Sequence, residues 1–164
     1  MKKVFLLIFM IMILMSNIVN ATTYKEEEDK TPKDLQKYFD DFDKNLSLKY
    51  IKDNFQKIID DLNEFLHKYT NDNIVKLRIL RLIALNYVDI EKFDDARYYL
   101  EQAYNINPES ARINSAYGYL ELNLKNYNEA LKYFYKSFTL DSDNDSRSSI
   151  EQNIAAVYFE QKNI

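Results

Sequence analysis

The chain has 164 residues carrying 22 basic and 26 acidic side chains, a formal charge of −4, and 46% of it is apolar, a globular rather than a disordered composition. The absence of cysteine and the presence of a single histidine, His67, exclude disulfides, thiolate nucleophiles and metal sites rich in sulfur or histidine. With one glycine, Gly118, and two prolines, Pro32 and Pro108, the chain has almost none of the residues that sheet turns and bulges demand, so helices are expected throughout.

Lys2 and Lys3 precede an unbroken apolar run from Val4 to Met15, and Val19, Asn20 and Ala21 follow. A basic start, a short hydrophobic middle and a small residue at the end form the layout of a secretory signal, which predicts residues 1–21 as a signal peptide cleaved after Ala21. The run is shorter than the ~20 residues that span a bilayer comfortably, and an uncleaved membrane anchor is the alternative. Without Lys2 and Lys3 the balance becomes 20 basic against 26 acidic residues, a formal charge of −6. Such a chain is ill suited to phosphate backbones, so no nucleic-acid partner is expected, and no membrane association after cleavage. Residues 22–31 contain Glu26, Glu27, Glu28 and Asp29 and read as an acidic flexible spacer ahead of a helical domain at 32–164.

Thr31 and Pro32 make a good helix start, since the hydroxyl can cap and proline fits the first turn. Leu35, Phe39, Phe42 and Leu46 then recur every three to four residues, predicting a first helix over about 32–45. Ile51, Phe55, Ile58, Leu62, Phe65 and Tyr69 define a second, longer helix, which Thr70, Asn71, Asp72 and Asn73 end. These two form a divergent helix pair over 32–72.

Further on, the chain repeats itself. A shift of 34 residues aligns Phe93 with Tyr127, Asp95 with Glu129, Ala96 with Ala130, Leu100 with Phe134, Ala103 with Ser137 and Ile106 with Leu140, with no gap. In the same register Leu80 aligns with Asn114, Ile83 with Tyr117 and Ala84 with Gly118. Ile83, Ala84, Tyr87, Ala96, Leu100, Ala103 and Pro108 occupy the patterned positions of a unit at 77–110. Tyr117, Gly118, Ala130, Phe134 and Ser137 occupy them in a unit at 111–144, which departs at Glu121 and Ser142.

This pattern resembles the tetratricopeptide repeat, a helix-turn-helix unit of 34 residues. Leu80 and Asn114 stand where the family has tryptophan. A third unit begins after three extra residues, where Ile154, Ala155, Tyr158 and Phe159 copy the first-helix pattern again, giving an incomplete repeat at 148–164. The resemblance implies an all-α fold, a short right-handed α-solenoid of about seven antiparallel helices. The small residues Ala84, Ala96, Ala103, Gly118 and Ala130 serve repeat packing, with Ala84 or Gly118 facing Ala96 or Ala130 where helices approach to ~8 Å.

In the family the first helices of successive units line a concave groove that takes a peptide. The positions that usually face it are here Arg78, Arg81, Leu85, Val88 and Asp89, then Arg112, Ser115, Tyr119, Leu122 and Asn123. Among these, Arg78, Arg81, Arg112, Ser115, Tyr119 and Asn123 are the candidate peptide-binding residues. The three arginines on one wall suit a carboxylate-bearing partner. The asparagine position of the family's chaperone-binding carboxylate clamp holds Leu82 and Ala116, and only Asn153 fits.

Other constellations read as structural. Asp141, Asp143 and Asp145 alternate as in a calcium loop, but Ser146 and Gln152 stand where glycine and the bidentate glutamate are needed, so a polar turn that caps the next helix is expected and no metal. Tyr98, Tyr99, Tyr133 and Tyr135 are expected to pack half-buried on second helices. His67 lacks a nucleophilic partner, and adjacent acids such as Asp94 and Asp95 point about 100° apart on a helix, so no enzyme activity and no cofactor is expected.

A helix over 147–162 exposing Ala155, Tyr158 and Phe159 is the candidate interface residue set, docking on another subunit or partner and allowing a homo-oligomer. The expected function is a non-catalytic adaptor or assembly factor of the cell envelope, periplasmic or secreted, binding a protein or peptide. The alternative is a structural subunit oligomerising through its last helix.

Overall fold

Seven helices follow one another in a computed structural model that describes residues 32–44 and 47–162, and there is no strand among the described residues. The expected signal and spacer, 1–31, lie outside the described residues. The helices are α1 (Lys33–Lys44), α2 (Leu48–Lys68), α3 (Asn73–Asp89), α4 (Phe93–Ile106), α5 (Ala111–Asn123), α6 (Tyr127–Leu140) and α7 (Asn144–Lys162).

Short polar side chains start three of them. The Ser47 hydroxyl accepts the Tyr50 N–H, Asp72 accepts those of Ile74 and Val75, and the Ser110 hydroxyl accepts that of Ile113. Each satisfies backbone donors that the first helical turn leaves without a partner. Before α7, the Asp141 carboxylate accepts the Asp143 N–H at 2.9 Å and the Asp143 carboxylate accepts the Ser146 N–H at 2.9 Å. These two aspartates therefore shape a turn and open a helix. That opening begins α7 at Asn144, three residues before the start the sequence predicts, because the inserted residues continue the helix instead of looping out.

The turns inside the two hairpins α3–α4 and α5–α6 repeat in atomic detail. Glu91 and Lys125, 34 positions apart, adopt left-handed backbone with φ of 63° and 62°. In the first turn the Glu91 N–H reaches the Val88 carbonyl and the Lys92 N–H reaches that of Tyr87. In the second the Lys125 N–H reaches Leu122 and the Asn126 N–H reaches Glu121. This is the Schellman closure, which normally places glycine at the left-handed position because a side chain there is strained. Glu91→Gly and Lys125→Gly should each raise stability by about 0.5–1 kcal/mol in denaturant unfolding. A loss of stability in both would contradict the left-handed assignment.

The helix pairs α3–α4 and α5–α6 make the most extensive contacts, and α3 also packs on α5 and α5 on α7. First helices thus lie side by side, as in a short α-solenoid. Three apolar clusters follow the stack. Leu35 of α1 joins Ile51, Ile58, Ile59 and Leu62 of α2 and Val75, Ile79 and Ile83 of α3. Leu80, Ala84, Ala96, Leu100, Ala103, Ile113, Ala116 and Leu120 fill the middle. Ala130 and Phe134 meet Ile150 and Val157 at the far end. The small residues Ala84, Ala96, Ala103 and Ala130 are all fully buried.

Gly118 is buried too, and its nearest side chain on α6 is Phe134: an added Cβ would stand 2.6 Å from that ring. Where the preceding unit pairs Ala84 with Leu100, this one pairs no side chain at all with a larger ring.

Polar and aromatic contacts tie neighbouring units. Glu121, buried, accepts from Arg97 of α4 at 2.8 Å and from the Asn126 amide at 2.8 Å. It stands where the preceding unit has Tyr87, whose ring packs edge-on against Phe55 and stacks on Tyr99. Tyr117 stacks on Tyr133 at 4.9 Å. Lys136 of α6 reaches the Pro108 carbonyl at 2.9 Å and Glu109 at 3.2 Å, holding the turn between units. Tyr99 and Tyr133 are half-buried as expected, whereas Tyr98 and Tyr135 are exposed.

Candidate functional site

Because α3, α5 and α7 lie side by side, one face of each lines a common hollow. That hollow is an open groove of about 500 Å³. From α3 it receives Arg81, Leu82, Leu85, Asn86 and Asp89. From α5 and the residues around it come Arg112, Ser115, Ala116 and Tyr119, with Ser137 and Asp141 at the end of α6. Ser146, Ser149, Ile150 and Asn153 of α7 close it.

Arg81, Arg112, Ser115 and Tyr119, expected from the family resemblance, are brought together here. Arg78 lies beside them, in a smaller cleft shared with Arg81 and Arg112, and its guanidinium also donates to Gln36 of α1 at 3.4 Å. Asn123 does not line the groove; it is exposed and its amide donates to the Tyr119 carbonyl at 2.8 Å. Val88, placed on the groove by the repeat pattern, is buried in the middle core, since its position turns toward the second helix. Leu122 is half-buried against the last cluster.

The groove carries both signs of charge. Two guanidiniums stand with Asp89 and Asp141. The Tyr119 hydroxyl donates to Asp89 at 3.1 Å. Burial raises the pKa of Asp89 above its ordinary 3.8, and the Tyr119 hydrogen bond works the other way. The floor between the charged ends is apolar, built from Leu82, Leu85, Ala116 and Ile150. A groove with an apolar floor and walls of both charge signs has the chemistry to hold an apolar group with polar or charged groups beside it.

Asn86 was not expected in this place. It is 1% exposed, its amide donates to the Leu82 carbonyl at 2.8 Å, and its Oδ1 has no hydrogen-bond partner. One unit later the same position is Leu120, fully buried, so the fold accepts leucine there. An unpaired buried acceptor costs about 1–3 kcal/mol. Asn86→Leu should therefore stabilise the protein by about 1–2 kcal/mol in urea unfolding, and destabilisation would show that the amide is needed by the fold. The sequence signal was a polar residue standing in register with an apolar one.

The candidate interface residues sit elsewhere. On α7, Ile150 and Val157 face the core, while Ala155 is exposed and Tyr158 and Phe159 are 45% and 67% exposed. The Tyr158 hydroxyl meets that of Tyr135 at 3.2 Å. Among the described residues no helix is long and apolar enough to cross a membrane.

Residues 111–144, which hold α5, α6 and the turn up to the start of α7, match the family model of the tetratricopeptide repeat. No curated protein and no solved structure matched the chain.

Proposed function

We propose, from the premise that this chain is a tetratricopeptide-repeat protein and so built for protein–protein interaction, that it is an exported, non-catalytic adaptor or assembly factor of the cell envelope. It holds a segment of another protein in the groove along α3, α5 and α7. The observation that carries this reading is the convergence of Arg81 and Arg112, one from each of two consecutive first helices, over an apolar floor. Guanidinium groups so spaced favour a ligand with acidic side chains beside a hydrophobic one. Family members of this kind are typically scaffolds, which agrees with a chain that has one histidine and no cysteine.

Selection from a random peptide library on the immobilised protein tests it. Acidic residues next to an apolar residue should be enriched, and Arg81→Glu with Arg112→Glu should weaken the selected peptides at least about tenfold, near 1.4 kcal/mol. Peptides held equally well by the double variant would remove the groove from the reading. Export rests on Lys2, Lys3 and the run from Val4 to Met15; a mature protein whose mass begins at Met1 would contradict cleavage after Ala21.

A second reading, a structural subunit that self-associates, is favoured by one observation: the exposed aromatic face of α7 with Tyr135 beside it.

A further inference from the structure

We propose that two copies of this chain pair through the outward faces of their α7 helices, antiparallel, about a two-fold axis level with the Ala156–Val157 peptide. This deepens the self-association reading and is independent of what the groove holds.

The repeat itself shows what kind of surface this is. In the two units upstream, the residues in register with Ala155 are Ala84 and Gly118, and both are buried beneath the second helix of their hairpin. Ala155 is exposed, and no helix among the described residues covers it. The outer face of α7 therefore has the relief of a helix-covered surface, with a small residue where another helix would approach closely.

The pattern on that face says which helix fits. At about 100° per residue, Ser148, Glu151, Ala155, Tyr158, Phe159 and Lys162 fall within roughly 100° of arc, and all six are exposed. An antiparallel pairing centred between residues 156 and 157 puts Glu151 opposite Lys162 of the second copy and Ala155 opposite Tyr158 of the second copy. One register thus matches charge with opposite charge and small with large, and the two-fold axis makes each match twice. A parallel pairing would put Glu151 against Glu151 and Tyr158 against Tyr158. Tyr135, 47% exposed and hydroxyl to hydroxyl with Tyr158, widens the apolar contact at its edge.

A single helix pair buries less than the roughly 1,200 Å² of a standard interface, so the dimer should be weak and concentration-dependent. Sedimentation of the full chain should show a monomer–dimer equilibrium. Glu151→Lys or Lys162→Glu alone should weaken it about tenfold, because each turns two attractions into two repulsions. The pair Glu151→Lys with Lys162→Glu should restore it to within about threefold. Since the chain has no cysteine, Ala155→Cys should give a disulfide-linked dimer on mild oxidation, and Tyr98→Cys, at an exposed site on α4, should not. A strict monomer at high concentration would overturn both the pairing and the self-association reading. A dimer indifferent to the charge swap would overturn the α7 pairing alone, and Arg81→Glu with Arg112→Glu should leave the dimer unchanged in every case.

Discussion

Gly118→Ala is expected to destabilise the protein by about 1–3 kcal/mol, although alanine is the better helix former by about 0.5–1 kcal/mol. The reason is local. The added methyl would stand 2.6 Å from the Phe134 ring, and Phe134 is fully buried, so neither the ring nor the α5 backbone has an easy way to yield. The preceding unit supplies the remedy, since Ala84 and Leu100 occupy the same two positions without conflict. Combining Gly118→Ala with Phe134→Leu should therefore be less harmful than the sum of the two single changes, by a coupling energy of about 0.5–3 kcal/mol. Urea unfolding of the four proteins in the cycle measures this directly. Strict additivity would mean that the two positions do not share one space.

Arg97→Ala is expected to cost about 1.5–3 kcal/mol, because it removes a charge-assisted hydrogen bond from a buried carboxylate. The Glu121 side chain is 6% exposed and keeps only the Asn126 amide once Arg97 is gone. A fully buried pair would lose 3–5 kcal/mol, but Arg97 is 38% exposed and solvent screens part of the attraction. Lys132→Ala is the matched control. Its pair with Glu129 is 3.0 Å long, both side chains are more than half exposed, and its removal should change stability very little. Equal losses in the two variants would deny Glu121 any special role. Replacing Arg97 and Glu121 together with apolar residues of similar volume should recover much of the loss, since no charge is then left buried.

The 34-residue shift was legible because small residues recur only where helices must approach closely. Ala84, Ala96, Ala103 and Ala130 accordingly all lie buried. Spacing alone gives the face of a helix and not the depth at which a facing residue meets it, so the 2.6 Å approach between Gly118 and the Phe134 ring could not be read from it. Glu121 read as a break in the pattern because its partner Arg97 lies 24 residues upstream on another helix, and only packing brings the two together. Arg81, Arg112, Ser115 and Tyr119 could be placed because repeat positions fix a direction. Val88 could not, since an apolar residue at the edge of a face is drawn to the core. Asn86 was missed because it is buried, 1% exposed, on the α3 wall of the groove. The left-handed turns at Glu91 and Lys125 gave no glycine to mark them.

The stacked rings of Tyr87 with Tyr99 and of Tyr117 with Tyr133 lie within 15° of parallel. The chain has no tryptophan, so its 14 tyrosines dominate the near-ultraviolet spectrum without a stronger chromophore to mask them. Each ring pair bridges two different helices, Tyr87 on α3 with Tyr99 on α4 and Tyr117 on α5 with Tyr133 on α6. The molecule therefore contains two optical gauges, one inside each hairpin, whose dichroism fades as that hairpin opens and which Tyr99→Phe and Tyr133→Phe can tell apart.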